Sequence, residues 1–232
     1  MIYIRYIYVV CWYLFNVKVR AFRKNHRKGT FSFISGWTHL GVVVGGSLLV
    51  SLVALLFISG LSWIELLIIP VTIIISNFVE YAIHRWPMHR VLPMLKKMYK
   101  THSGKHHRYF THDFMNMECD DDLHEVFATP LTVLMFFFGV VIPFSIACTL
   151  LFSMNVGILF FATTMAYYGI YEFIHFTTHL MPSHFLAKLP FMKGARERHQ
   201  THHNTRLMRE WNFNIGLPLM DFLFGTLWKE TK

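Results

Sequence analysis

His175-Phe-Thr-Thr-His179 and His199-Gln-Thr-His202-His203 stand in the second half of the chain. A matching pair, His84-Arg-Trp-Pro-Met-His89 and His102-Ser-Gly-Lys-His106-His107, stands in the first. Each pair directly follows a long apolar stretch. Ten of the 15 histidines therefore fall into four clusters, set down twice in the same order. A lone histidine at a membrane surface is ordinarily a hydrogen-bonded interfacial residue, and such residues scatter. Neutral imidazole is also the commonest protein ligand for transition metals. Clustering at the ends of apolar runs therefore points to a metal centre at the mouth of a membrane helix bundle.

The apolar runs set the architecture. Residues about 40–60, 63–83, 131–152 and 155–174 each approach the roughly 20 residues, at about 1.5 Å rise, that cross the hydrocarbon. Apolar residues make up 54% of the chain and mean hydropathy is +0.39, too high for an ordinary soluble domain. Ser59-Gly60-Leu61-Ser62 and Ser153-Met154-Asn155 turn the runs into two hairpins. Gly41, Gly45 and Gly46 offer a first-span surface that a neighbouring helix can approach closely. Pro70 and Pro143 are positions for bends. Trp86-Pro87 should end the second span, because the residue before proline avoids the α region. The fold expected is an all-α integral membrane protein: four transmembrane helices in two hairpins, with a cytosolic helical cap (84–128 and 175–232) carrying a histidine-rich dimetal site.

The net charge of +9 could suggest nucleic acid, but its placement excludes that reading. Of 22 Lys and Arg residues, six lie in 18–28, seven in 85–108 and eight in 188–232, and the four apolar runs hold none. Two hairpins bring every basic block and every histidine cluster to one face, which the basic excess marks as cytoplasmic. Cys11, Cys119 and Cys148 are isolated and odd in number, so neither a disulfide framework nor a thiolate zinc site is indicated. Residues 1–17 are apolar with their positive charge following, the reverse of a secretory signal. They read as an in-plane interfacial helix in preference to an extra span. Two regions result: an N-terminal interfacial and basic segment, 1–36, and a membrane domain, 37–232.

Helical spacing explains the intervals. His175 and His179 are i and i+4, and His199, His202 and His203 are i, i+3 and i+4, on one face. Adjacent histidines diverge by about 100° on a helix of 3.6 residues per turn and can reach different metals. Ten imidazoles suit two ions with roughly four or five each. His112, His124, Asp113 and Asp121 are candidates to orient the ligands from behind by accepting or donating a second hydrogen bond. His26 and His39 read as interfacial residues and His184 as a loop residue.

The four boxes resemble the membrane fatty acid hydroxylase and sterol desaturase superfamily. Glu80-Tyr-Ala-Ile-His84-Arg-Trp-Pro-Met-His89 is similar to its first box, and Tyr171 with His175 and His179 to its third. His199-Gln-Thr-His202-His203 is similar to the fourth, and Asn212, Phe213, Pro218, Asp221 and Phe224-Gly225-Thr226 to its closing motif. The resemblance covers about 75–232. The second box departs: three residues, not two, precede its His-His pair, which sets His112 beside His102 as an alternative completion.

The resemblance implies ten metal ligands, His84, His89, His102, His106, His107, His175, His179, His199, His202 and His203. They would hold two iron ions, with zinc able to take the site on purification. It further implies dioxygen as co-substrate, a membrane lipid hydroxylated or desaturated at a C–H bond, and electrons from a separate cytochrome- or ferredoxin-type protein. The membrane would be a bacterial inner membrane or the endoplasmic reticulum. Carotenoid ring hydroxylases share similar boxes, and the tyrosine-rich Tyr167-Tyr168-Gly169-Ile170-Tyr171 fits them too. A metal transporter would want ionisable residues along a path through the spans. Here Glu65, Glu80 and Glu172 all lie towards span ends.

Overall fold

The computed structural model describes residues 17–27 and 34–229, and among them the regular structure is helical, with a single isolated bridge between Thr111 and Phe114. The interfacial helix expected over 1–17 lies, but for its last residue, outside the described residues. Helix α1 spans 17–27. Four helices are long and apolar enough to cross a membrane: α2 (Gly36–Leu55), α3 (Glu65–Arg85), then, beyond a polar segment, Thr132–Leu151 and Met154–Thr178. Within that polar segment, α4 runs Lys96–Thr101, widens over His102–His106 and resumes over His107–Tyr109. The last two spans are therefore α5 and α6. The cap closes with α7 (Pro190–His202) and α8 (Leu219–Leu223).

The spans differ from their predicted limits for identifiable reasons. Helix α2 begins at Gly36 because Ser35 caps it, its hydroxyl accepting the N–H of Thr38 at 3.1 Å. It stops at Leu55 although the apolar run continues, since the far turn is held by Asn155, which donates to the Ser59 carbonyl at 2.9 Å. Glu65 joins that turn, accepting from Ser153 and from Asn155 at 2.5 and 3.2 Å. Helix α6 runs on past residue 174 to Thr178. Hydropathy marks where the bilayer ends, and histidine and threonine do not end a helix. At 25 residues α6 is about 37 Å long, longer than the roughly 30 Å hydrocarbon layer. One rigid element therefore carries His175 out of the bundle and ends at His179.

Helix α6 is the axis of the bundle and packs against α2, α3 and α5. Half of its most apolar stretch is buried within the protein, against 22, 17 and 6% for the other three. The rest of the bundle presents Leu52, Ile74, Phe138 and Leu150 outward, the arrangement expected when the surroundings are lipid. The close approach expected at Gly41, Gly45 and Gly46 falls elsewhere, since a Cβ on any of these would meet nothing within 4 Å. The tight contacts belong to α6. A Cβ on Gly169 would lie 3.2 Å from Ser47 of α2, and one on Gly157 would lie 1.9 Å from the Thr149 hydroxyl and 2.8 Å from the Ser145 carbonyl of α5. Ser51 adds a hydrogen bond to the Ala162 carbonyl at 2.7 Å. Above the spans, Tyr109, Phe110, Leu123, Phe127, Phe176 and Leu180 form an apolar core. Each such buried side chain contributes roughly 1.5–3 kcal/mol.

Pro143 follows a widened turn over Phe137–Val141, where the Ile142 N–H reaches back to the Phe137 carbonyl. The extra residue in that turn accommodates a proline that has no N–H to give. Gly157→Ala is expected to lower the melting temperature of the detergent-solubilised protein by several degrees, because the Ser145 backbone cannot rotate away. Gly139→Ala, on an exposed position with nothing within 4 Å, should leave it unchanged. Equal melting temperatures for the two would remove Gly157 from the packing argument.

Candidate metal centre

All four histidine clusters meet at one end of the bundle. His84 lies on the last turn of α3, and Trp86-Pro87 ends that helix as its sequence demands. The turn that follows folds His89 back until its ring centroid lies 5.1 Å from that of His84. His102 and His107 come from α4 and His202 from α7. One nitrogen from each of these five lies within 4.8 Å of all the others. A second group is built the same way from His106, His175, His179 and His199. His203 adjoins it, its Nε2 3.0 Å from Nε2 of His199.

The two groups exchange one residue each. Apart from His202, the first group comes from the first half of the chain. Apart from His106, the second comes from the second half. His107 and His203 stack across the boundary, with ring centroids 4.2 Å apart.

The additional residue in the second box is absorbed by the widened turn of α4. There the N–H of His107 bonds to the carbonyl of His102, five residues back. In the fourth box, His199 and His203 pair at i, i+4. In the second, His102 and His107 pair at i, i+5, with Nε2 atoms 3.1 Å apart. A π-type turn brings i and i+5 to one face, as an α turn does i and i+4. His102 thus joins the first group and is the only half-buried member of that group.

The other ring nitrogens decide what these groups can do. Nδ1 of His84 donates to the Phe213 carbonyl at 2.5 Å, His106 to Glu125 at 2.8 Å and His179 to Met115 at 2.9 Å. His202 donates to Trp211 at 2.8 Å and His203 to Phe110 at 2.5 Å. His89 donates to Ser103 Oγ at 2.9 Å, whose own proton goes to the Met88 carbonyl at 2.7 Å. A neutral imidazole has one N–H. Once a carbonyl takes it, Nε2 presents only a lone pair.

Nε2 of His89 and Nε2 of His202 nevertheless face each other at 2.8 Å, two lone pairs that repel unless a cation lies between them. The other close pairs, at 3.0–3.3 Å, each include His102, His175 or His199, whose Nδ1 proton no carbonyl takes. Two nitrogens each about 2.1 Å from one ion would be roughly 3.0 Å apart at a right angle and about 3.4 Å at the tetrahedral angle. Protonation does not provide the cation, because burial disfavours a charged ring. It pushes His106 down to about 4 and holds His107, His179, His199, His202 and His203 well below the usual range. The buried Nε2 of His106 has no hydrogen-bond partner. The donor set fits transition-metal ions.

The closing motif is a clamp for the carbonyls. The Asp221 carboxylate accepts the N–H groups of Phe213 and Asn214 at 3.0 and 2.7 Å and the Thr226 hydroxyl at 2.7 Å. Asn212 adopts φ of 57°, a left-handed conformation that asparagine tolerates. Its side chain donates to the Arg198 carbonyl and accepts from Trp228 N–H. The Phe213 and Trp211 carbonyls are thereby aimed at His84 and His202. Glu80 of α3 accepts Ile215 N–H at 2.7 Å and fixes the motif to the bundle.

The remaining predicted residues have other surroundings. His112 donates to the Gln200 carbonyl at 2.9 Å and so braces α7 from behind; it joins neither imidazole group. His124 contacts His39, Nδ1 to Nδ1, at 3.2 Å. Asp113 and Asp121 are exposed, whereas the neighbouring Asp122 is fully buried and bound by Arg27. The groups behind the imidazoles are mainly main-chain carbonyls and Ser103, which no residue-type pattern reveals.

An all-α membrane bundle with two imidazole groups at one end defines a histidine-box membrane metalloprotein by its geometry. Comparison agrees: the fatty acid hydroxylase profile matches residues 69–226, and the chain belongs to that family. The solved structure of full-length Scs7p, in which only the hydroxylase domain is visible, superposes with a TM-score of 0.59 at 20% identity. It covers 83% of this chain and 67% of its own. At that identity the likeness shows the shared fold. No curated protein matches in sequence. This is an integral membrane protein of the lipid hydroxylase class of oxidoreductases.

Asp221→Ala is expected to weaken metal binding in the group containing His84 and His202 by roughly 10–100-fold, the usual cost of losing an orienting partner. Titration of the metal-stripped protein with zinc checks this. Unchanged affinity would show that the clamp does not aim the carbonyls.

Proposed function

We propose that the protein is an oxygen-dependent lipid C–H oxidase, a hydroxylase or desaturase, with two iron ions held by the ten box histidines. His84, His89, His102, His107 and His202 hold one ion; His106, His175, His179, His199 and His203 hold the other. The observation that carries the reading is the convergence of the box imidazoles into two groups, in which Nε2 of His89 and Nε2 of His202 face each other at 2.8 Å although both rings have given their Nδ1 protons elsewhere. Iron, when bound, supplies dioxygen chemistry able to attack an unactivated C–H bond.

The chain's own contribution is to place and isolate. Carbonyls of Phe110, Met115, Glu125, Trp211 and Phe213 keep the rings neutral and oriented. Burial excludes water from nine of the ten rings, which protects oxidising chemistry from side reactions. His102, half-buried, marks the side on which the centre is most open. Helix α6 sets the centre just outside the hydrocarbon, where a lipid can present a carbon near its polar end. Two electrons per turnover come from a separate cytochrome- or ferredoxin-type protein. With the positive-inside distribution, the centre faces the cytoplasm.

The purified protein is expected to carry close to two transition-metal ions, and His202→Ala should abolish product while the protein still inserts and remains helical. Lipid profiles of cells expressing the two forms, together with metal analysis, make the test. Full activity in the His202 variant would sink this assignment.

A further inference from the structure

We infer that Arg23, on a helix outside the family-matched region, is a positioning residue for the second imidazole group. The inference rests on the metal-binding reading above. Arg23 is 1% exposed despite its charge. Its Nε donates to the Tyr109 carbonyl at 2.8 Å, Nη1 to Asn116 at 3.0 Å and Nη2 to Phe114 at 2.6 Å. The guanidinium also lies 5.2 Å from the centroids of the Tyr109 and Phe110 rings. A buried guanidinium is costly unless its N–H groups are satisfied, and here its hydrogen bonds all go to one stretch, from Tyr109 at the end of α4 to Asn116, with Glu118 just beyond at 3.8 Å.

That stretch supplies the second group. The Phe110 carbonyl orients His203 and the Met115 carbonyl orients His179. Met117 N–H returns to the His179 carbonyl at 2.9 Å. The three carbonyls gripped by Arg23 flank both orienting carbonyls on the chain. Arginine's fork reaches three acceptors in fixed directions, which lysine cannot reproduce. The first group takes its orientation from Trp211, Phe213 and Ser103, none of which Arg23 touches. Helix α1 has a second anchor in Arg27, which grips Asp122 through Nε at 2.7 Å and Nη2 at 2.9 Å and reaches the Tyr109 hydroxyl at 3.1 Å. Removing the Arg23 fork should thus loosen one ion and spare the other.

The test is metal retention by the full-length protein in detergent, dialysed against a chelator, with zinc as the probe. Wild type and Arg20→Ala, the latter an exposed neighbour, should keep both ions. Arg23→Ala should keep about one, and Arg23→Lys should lose its second ion roughly tenfold faster than wild type. Circular dichroism verifies that each variant remains helical. If Arg23→Ala does not fold, the lysine variant carries the test. Retention of both ions at the wild-type rate by either variant, or simultaneous loss of both, would overturn the inference. A wild type that never binds two ions would instead overturn the metal reading itself.

Discussion

The centre depends on a proton placed on the correct nitrogen. A histidine ring with no fixed partner exchanges tautomers and turns about two side-chain bonds. Here the backbone claims Nδ1–H of five rings and Ser103 that of a sixth. The tautomer, the ring plane and the direction of the remaining lone pair are all set before any ion arrives. That preorganisation is what the rest of the fold maintains: α6 as a rigid post, the Asp221 clamp, and the loop between Tyr109 and Met117. A buried assembly of nitrogen lone pairs is unfavourable by itself, so the surrounding packing must hold it together.

Basic residues take an unexpected part in this. Placed near a membrane face, they suggest lipid headgroups or an acidic redox partner. Several instead point inward as main-chain staples. Arg196 donates to the carbonyls of Thr178 and Leu180 at 2.7 and 2.5 Å, tying α7 to the end of α6. Arg198 donates to Gly216 at 2.6 Å. Irregular cap backbone leaves carbonyls without helical partners, and a five-donor fork satisfies several at once. Exposed Lys18, Lys24, Lys96, Lys97 and Lys100 keep the outer surface basic.

Much of this was legible in the sequence because it rests on periodicity and residue type. Four apolar runs gave four spans, Trp86-Pro87 stopped α3, and helical spacing in the fourth box separates His202, in the first group, from His203, which adjoins His199 of the second. Other features were illegible for physical reasons. Backbone carbonyls have no residue signature, so the partners at Phe110, Met115, Trp211 and Phe213 could not be read. Close helix contact depends on what faces a glycine, which is why Gly157 and Gly169 bear it and Gly41, Gly45 and Gly46 do not. The second box looked irregular because it carries one residue more than the motif it resembles, and a π-type turn, which changes the residues that share a face, absorbs that residue. Asp121 and Asp122 are adjacent in an acidic run, and what distinguishes them is the set of donors around Asp122, namely Arg27, the Tyr109 hydroxyl and the Glu118 N–H.

The exchange of His106 and His202 between the two groups has a consequence for biogenesis. Neither hairpin with its own clusters contains a complete set of imidazoles. During synthesis the first half emerges with His102 and His107 poised but without the partner from α7. On the proposed ligand assignment, each half alone offers four of its group's five imidazoles, and the fifth arrives only when the two hairpins have come together.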